Sequence, residues 1–499
     1  MSPALLQTLA RSTLGVAALL LTVTVPAATA TFAARRYLFL EPALLSSLQD
    51  LQITINPAQR HEVVLRPDRP WESLMLGFYS SVLQEGDRVR LWYHARAKQG
   101  RPSAGLAYAE SRDGIHFTKP SLGLVAYEGS KETNLLKGGS AGFTPFIDPN
   151  AASPAERYVA VSNLNFPYGG VGRFTSPDGL RWQADEPGFL KFPSDTQNVA
   201  FWDQRIGKYV LYFRGWSPQY RTVKRLEVSS LKEPTGIEPS GRGRGSGKPD
   251  SLRYALDEVP TVFECDGRDP SRTDVYTMVA QPYPLDPSWY VAFPAFFRRK
   301  DGSPTANYQG QKHGPVGTEF AGSRNGIHWH RYDRMPYASP MVASPEDRRM
   351  IYMTSGMVVK GDEIWQYANE FESQHGDEPA RELKQDGVIV RFVQRVDGFV
   401  SLTAANVEGT ARTVPVRVTG DRLLLNVDTG ALGEIRIGLL DEAGRALPGF
   451  SVEDCPPLQK NTIGALVAWP QGNLATLKGR SVCLEIRMRR TKLYSFRFE

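Results

Sequence analysis

Ser111-Arg-Asp-Gly-Ile-His-Phe117 is followed by Ser176-Pro-Asp-Gly-Leu-Arg-Trp182, Ser323-Arg-Asn-Gly-Ile-His-Trp329 and a reduced copy, Arg395-Val-Asp-Gly-Phe-Val400. A short phrase that returns at intervals of tens of residues marks a chain built from repeated supersecondary units. Asp-Gly and Asn-Gly are turn formers, because glycine supplies φ > 0 and Asp or Asn caps its own backbone. Each copy therefore predicts a turn closing a strand at the outer side of a unit, with the following aromatic opening the next strand.

Working outward from the phrase, strand pairs rich in β-branched and aromatic residues appear at regular intervals. They run from Gly77 to Arg96 around Glu85-Gly86-Asp87, from Phe143 to Asn163 around Asp148-Pro149-Asn150, and from Asn198 to Gly215 around Asp203-Gln-Arg-Ile-Gly207. Two more run from Asp274 to Phe297 around Pro284-Leu-Asp-Pro287, and from Met350 to Glu370 around Lys360-Gly-Asp362. Each pair is followed by a second, which predicts five four-stranded units and hence a five-bladed β-propeller. The third unit lacks the phrase and carries Val228-Ser-Ser-Leu-Lys232 instead.

Past about residue 405 the phrase gives way to strands at 413–419, 422–427, 433–441, 482–489 and 493–498 with glycine turns between them. These predict a small antiparallel β-sandwich. The fold class expected is all-β: residues 1–30 a signal peptide, 31–65 an N-terminal lead-in, 66–403 the propeller and 405–499 the sandwich.

The signal peptide rests on Arg11, the apolar run from Leu14 to Val25, and Ala28-Thr29-Ala30 as a small-residue cleavage site. An uncleaved anchor is the alternative, but Pro26 interrupts the run early for a membrane span. Cleavage leaves no membrane association and places the protein outside the cytoplasm, secreted or periplasmic.

At 499 residues, 41% hydrophobic and 22% charged, the composition is that of a globular protein with more than one unit. The formal charge of +6 is mild for this length. Its one concentrated basic stretch, Gly241-Arg-Gly-Arg-Gly-Ser-Gly-Lys248, sits between Pro239 and Pro249 and reads as a surface loop, so no nucleic-acid partner is expected. Cys265, Cys455 and Cys483 have no zinc spacing. Export permits one disulfide, for which Cys455 and Cys483 are the nearer pair. No cofactor and no dedicated metal site are expected, and the oligomeric state is left open.

The blade phrase, the hairpin Phe201-Trp-Asp-Gln-Arg-Ile-Gly-Lys-Tyr209 and the C-terminal sandwich together resemble the five-bladed propeller glycosidase superfamily, to which invertases, levansucrases and arabinanases belong. The resemblance covers roughly residues 40–499. It implies a glycoside hydrolase with a carbohydrate substrate, in which one carboxylic acid protonates the leaving oxygen while a second carboxylate attacks the anomeric carbon or activates water. Fold alone does not fix function, so a non-catalytic carbohydrate- or protein-binding propeller is the competing reading. A sialidase-like enzyme fits less well, because the phrase lacks the Asp-x-Gly-x-Thr-Trp order of the Asp-box.

Chemistry in such a fold belongs at the axial ends of the innermost strands. Asp148 invites comparison with the Asn-Asp-Pro-Asn-Gly phrase of invertases, but aligning Phe146-Ile-Asp-Pro-Asn150 with Phe201-Trp-Asp-Gln-Arg205 puts Asp148 and Asp203 in the first turn of their blades. Glu264-Cys265 and Arg268-Asp269-Pro270 echo invertase phrases in reversed order and read as an inter-blade loop. The same register brings forward Glu72, Asp195 and Asp274, each just before an inner strand, as the catalytic candidates. Gln197 and Asn198 beside Asp195 suit sugar orientation. Second strands return to the same face, which adds His94, Arg214, Trp216, Glu370 and His375 as substrate-binding candidates. His116, His328 and His330 belong to the outer turns and are expected at the surface.

Overall fold

The structure is a computed structural model and describes residues 36–139, 142–164, 170–192, 194, 196–216, 220–237, 258–299, 314–338, 350–375 and 385–499. The expected signal peptide, the expected basic loop at 241–248 and Asp195 lie outside the described residues.

Five antiparallel blades follow one another along the chain. Blade I comprises Met75–Glu85, Arg88–Arg96, Ala104–Ser111 and Leu135–Leu136; blade II comprises Thr144–Ile147, Tyr158–Asn163, Val171–Ser176 and Gln183–Ala184. Blade III comprises Val199–Asp203, Lys208–Trp216, Arg221–Val228 and Thr261–Phe263. Blade IV has Thr273–Tyr283 and Asp286–Arg298, with its third strand split into Val316–Thr318 and Ala321–Ser323. Blade V has Met350–Met353 and Val358–Lys360, then Glu363–Phe371 and Val388–Arg395. One parallel pairing, Val316 with Met350, joins blades IV and V into a continuous sheet.

The ring closes. Met75–Glu85 packs on Thr144–Ile147, that strand on Val199–Asp203, that on Thr273–Tyr283, and the first strand of blade V packs on both blade IV and Met75–Glu85. Parallel bridges from Ser81 to Ser355 and from Met75 to Asp386 tie blade I to blade V. All five hairpins expected from the sequence are present, and the strands around the axis are largely buried on both faces because each is covered by its neighbours.

The repeated phrase does more than turn the chain. Ser111 Oγ receives Gly114 N at 2.9 Å and Asp113 Oδ1 receives Ile115 N and His116 N at 2.8 Å each, with the same pattern at Ser176/Asp178 and Ser323/Asn325. The glycine carbonyl left at the tip is then taken by the preceding blade: Tyr367 donates to Gly114, Trp92 to Gly179 and Tyr212 to Gly326 at 2.7, 2.9 and 2.7 Å. Gly326 has φ +69, and a Cβ there would fall 2.3 Å from the Tyr212 hydroxyl. No other residue satisfies both demands. His116 and His328 are exposed as expected, while His330 is half-buried.

The reading of 31–65 as a lead-in is corrected. Gln59–Leu65 pairs with Val388–Arg395 as the outermost strand of blade V, closing the ring with an N-terminal strand. Tyr37–Leu38, Leu45–Gln49 and Leu51–Ile55 join the C-terminal sandwich, on Lys492–Phe498, Gly409–Thr413 and Val400–Ala404 respectively. The sandwich packs a six-stranded sheet, which holds Tyr37–Leu38 and Leu51–Ile55, on a five-stranded one, which holds Leu45–Gln49, around a single core that includes Leu402, Leu425, Ile437, Leu484 and Phe496. Alternation drives it: in Ser481–Arg489 the residues Val482, Leu484, Ile486 and Met488 point inward and their neighbours outward.

The fourth copy of the phrase forms the seam between the two units. Asp397, at φ +58, receives Tyr283 of blade IV at 2.8 Å, Ser495 of the sandwich at 2.7 Å and Arg36 at 2.8 Å. The expected pairing of Cys455 with Cys483 is not made; all three cysteines are free thiols. Among the described residues no helix is long and apolar enough to cross a membrane.

Candidate active site at the propeller axis

The inner strands converge on a buried polar cluster. Gln197 Nε2 donates to the Ser80 carbonyl of blade I at 2.9 Å, Ser81 Oγ to the Phe143 carbonyl at 2.8 Å, and Thr144 Oγ1 to the Asn198 carbonyl. Blades I and III are not adjacent in the ring, so the reach of Gln197 puts it at the axis. Gln197 and Asn198 are both fully buried, yet Gln197 Oε1, Asn198 Oδ1, Ser80 Oγ, Thr277 Oγ1 and Asn369 Oδ1 have no partner among the described residues. Buried polar atoms are rarely left so, and a cluster of them marks space for water or for a ligand's hydroxyls.

Two inner strands break their ladder here. In blade I, Leu76 pairs with Ala95 and Ser80 with Tyr93, so Gly77, Phe78 and Tyr79 stand opposite His94 alone. In blade IV, Val275 pairs with Phe296 and Thr277 with Ala295, leaving Tyr276 as an extra residue. Bulges of this kind re-aim side chains next to functional sites. They form an aromatic wall: Tyr79 and Tyr276 each lie 5.7 Å from Tyr352, and Phe78 lies 5.0 Å from Phe371.

Beside that wall sits a cation and aromatic cluster from blades III and IV. Arg214 donates to the Tyr276 carbonyl through Nε at 3.1 Å and Nη2 at 2.6 Å. Arg221 lies 5.1 Å from the Trp216 ring and 4.8 Å from that of Tyr276. Asp274, fully buried, receives Arg221 Nη1 at 2.9 Å and Arg299 on the same oxygen. Burial works to raise its carboxyl, but Arg221 and Arg299 outweigh it and hold the group below the usual carboxylate range. Asp274 is thus an ionised anchor that fixes two arginines. His375, half-buried, sets Nε2 3.1 Å from the Tyr276 hydroxyl.

The sequence-derived candidates therefore divide. Asp274, Arg214, Trp216 and His375 come together around Tyr276; Gln197 and Asn198 belong to the buried polar cluster. His94 is half-buried against Gly77, where burial and then Arg96 push its imidazole down to about 4. Glu72 and Glu370 do not join them. Glu72 belongs to the turn Pro70–Glu72 and is fully enclosed: Tyr93 donates to Oε1 at 2.5 Å, while Lys119 Nζ, Asp68 N and Arg69 N reach Oε2 at 2.6, 2.9 and 3.1 Å. Glu370 is gripped by Arg60 of the outermost strand of its blade, with contacts of 2.9 to 3.2 Å. Its neighbour Asn369 is the one that reaches the inner strand, donating to the Gly77 carbonyl at 2.8 Å.

Tyr276, Arg221 and Arg299 were not singled out from the sequence. Tyr276 lies two residues beyond Asp274, on the same face of a regular strand, and that alternation was the available signal. The aspartates set aside as turn residues are structural: Asp148 caps Asn150 N at 3.0 Å, and Asp203 caps Arg205 N at 2.9 Å. Asp269 is held by Arg331 at 2.6 Å in an ion-pair cluster with Glu319. Among the described residues no group of three His, Cys, Asp or Glu side chains converges as a metal site would require.

No family model matches the chain. No curated protein matches it either. Among solved structures it is similar to a glycosyl hydrolase from Bacteroides ovatus, at 14% identity and a TM-score of 0.41 over 68% of this chain and 94% of that one. It is also similar to a fructofuranosidase from Schwanniomyces occidentalis complexed with fructosylnystose, at 9% identity and 0.40 over 89% and 98%. A third similarity is to a glycoside hydrolase family 43 arabinoxylan arabinofuranohydrolase from Bacillus subtilis in complex with cellotetraose, at 11% identity and 0.37 over 87% and 99%.

Proposed function

We propose that the protein is an exported glycoside hydrolase that takes a poly- or oligosaccharide at the axial mouth of the propeller. The observation that carries this reading is the meeting of Trp216, Tyr276, Arg214, Arg221 and His375, from three blades, near a cluster of buried amide and hydroxyl oxygens that have no partner among the described residues. Aromatic faces for stacking and a few fixed polar groups are what a sugar pocket needs. In this proposal Asp195 is the general acid, Asp274 is a positioning residue, and Glu72 and Glu370 have structural roles only. The signal-like N-terminus supports action outside the cytoplasm.

The second reading is a carbohydrate-binding propeller without catalysis. It is favoured by one specific feature: Glu72 and Asp274 are both ion-paired, by Lys119 in one case and by Arg221 and Arg299 in the other. The test is reducing-sugar release from a broad polysaccharide panel by the purified protein and its Asp195→Ala variant. Release that disappears in the variant supports the first reading. Silence across the panel with measurable glycan binding supports the second.

A further inference from the structure

The C-terminal sandwich carries a cavity of its own, of about 410 Å³, a size suited to a small ligand. Its floor is set by strand register. Lys492 lies opposite Thr403 on one side and Asp428 on the other, so three polar side chains stand abreast on adjacent strands of the six-stranded sheet. They share the outer face, because their neighbours Leu402, Val427 and Leu493 belong to the sandwich core.

Three loops at that end form the walls, and they are locked to one another. Arg490, in the hairpin between Ser481–Arg489 and Lys492–Phe498, donates its backbone N–H to the Ala405 carbonyl at 2.8 Å and Nε to Asn406 Oδ1 at 3.0 Å. On the other side Gly433 packs so close to the hairpin that a Cβ there would fall 2.2 Å from the Arg490 carbonyl oxygen, and Asp428 Oδ1 receives Gly430 N at 2.9 Å. The walls are thus set before a ligand arrives, which lowers the cost of binding one. The same sheet meets the propeller alongside: Lys492 Nζ donates to Asn56 Oδ1 at 2.8 Å and Asn426 Nδ2 to the Val396 carbonyl at 2.7 Å. The cavity therefore opens beside the seam between the two units, a common place for ligand sites.

Its chemistry is mixed. Arg490 is exposed, and its tether through Nε fixes a guanidinium whose two terminal nitrogens form a fork suited to a carboxylate or sulfate. Lys492 adds a second positive charge. Asp428, with Oδ1 on Gly430 N, offers Oδ2 to a hydroxyl, and Asn406 and Thr403 are groups of the kind that hold sugar hydroxyls. A neutral sugar makes no use of two cations, and a simple inorganic anion would face the like charge of Asp428. A sugar that bears an acid group uses both halves.

We propose that this cavity is a second carbohydrate site that takes an anionic sugar residue, with its carboxylate or sulfate on Arg490 and Lys492 and its hydroxyls on Asp428, Asn406 and Thr403. The inference goes beyond the reading of the axial site and holds for a hydrolase and for a binding propeller alike. A polysaccharide long enough to reach both sites gains avidity from the second.

The test is isothermal titration calorimetry of the whole protein with trigalacturonate, a sulfated galactose trisaccharide and neutral galactotriose, beside the Arg490→Gln and Asn406→Ala variants. Sugar release is not the readout, so a silent axial site leaves the test intact. The expected result is binding of an acidic trisaccharide at least about 10-fold tighter than galactotriose, weakened at least about 10-fold in Arg490→Gln and weakened by added salt. Preference for trigalacturonate identifies the recognised group as a carboxylate, and preference for the sulfated probe identifies it as a sulfate ester; either supports the site. Equal affinity for galactotriose, no binding of either acidic probe, or acidic-sugar binding unchanged in a folded Arg490→Gln overturns it. Should Arg490→Gln not fold, Asn406→Ala, which releases the Arg490 tether from an exposed loop, decides by the same comparison.

Discussion

The carboxylate of Asp148 in blade II receives the hydroxyl of Tyr209 in blade III at 2.8 Å, across the boundary between them. The relationship repeats around the ring. Glu85 of blade I receives Tyr158 of blade II at 2.6 Å, and Asp203 of blade III receives Tyr290 of blade IV. An acid at the end of one inner strand thus holds a tyrosine on the next blade's second strand. Burial, with Asp148 adding to it and Asn150 opposing, pushes the Tyr209 phenol up to about 12. Asp148→Ala leaves that hydroxyl without its main acceptor, which costs about 1–3 kcal/mol. Denaturant unfolding should show this loss, with a smaller one for Asp148→Asn, whose amide oxygen still accepts.

Glu72 should behave as a framework residue. Its carboxylate and the Lys119 ammonium are almost entirely enclosed, and removing one member of a buried pair strands the other. Glu72→Ala is expected to lose about 3–5 kcal/mol of stability, while the fraction that folds keeps its sugar-releasing rate. Comparing melting temperature with rate per folded molecule separates this from a catalytic role, which would produce the opposite pattern.

His94 predicts a pH dependence. Its folded-state value, pushed down to about 4, lies below the ordinary histidine value of about 6.5. The unfolded chain therefore takes up the proton first, and stability falls as pH drops from about 6.5 towards 4. Above that window His94 contributes a constant amount; below it the loss is complete. Because the ring is only half-buried, a loss of about 1–2 kcal/mol between pH 7 and 5 is expected. His94→Gln should remove that part of the slope, as read by chemical unfolding across the range.

Asp274 acts at lower pH. Its folded value is lowered, burial being outweighed by Arg221 and Arg299, so its contribution is present above the unfolded value of about 3.9 and is lost as pH falls through the folded one. Asp274→Asn should flatten the acid limb of unfolding below pH 4. It should also slow sugar release, since Arg221 loses the partner that holds it over Tyr276.

The architecture was legible because its determinants are local. Asp-Gly turns, acid-tipped hairpins and strand alternation each occupy fewer than about ten residues, and they foretold the five blades and the sandwich. What sequence reading lost is non-local. Gln59–Leu65 completes a blade whose other strands begin at Met350, and Leu51–Ile55 pairs with Val400–Ala404. Glu72 looked axial because it precedes an inner strand, but its fate is set by Lys119, a residue beyond the third strand of the same blade. Register arguments place a residue along a strand; they do not say which cation will fold over it. Tyr276 was hidden for a related reason, since its partner His375 lies 99 residues away.

The central claim is that chemistry occurs at the axis, away from the repeated acids of the blade turns. The most direct measurement is the rate of sugar release per folded molecule for Asp195→Ala beside Asp148→Ala, on whichever polysaccharide the wild type cleaves. The account predicts a fall of about 100-fold or more for Asp195→Ala and a rate within about twofold of wild type for Asp148→Ala, whose turn position makes it structural. Equal rates for wild type and Asp195→Ala, or a collapse confined to Asp148→Ala, would contradict it.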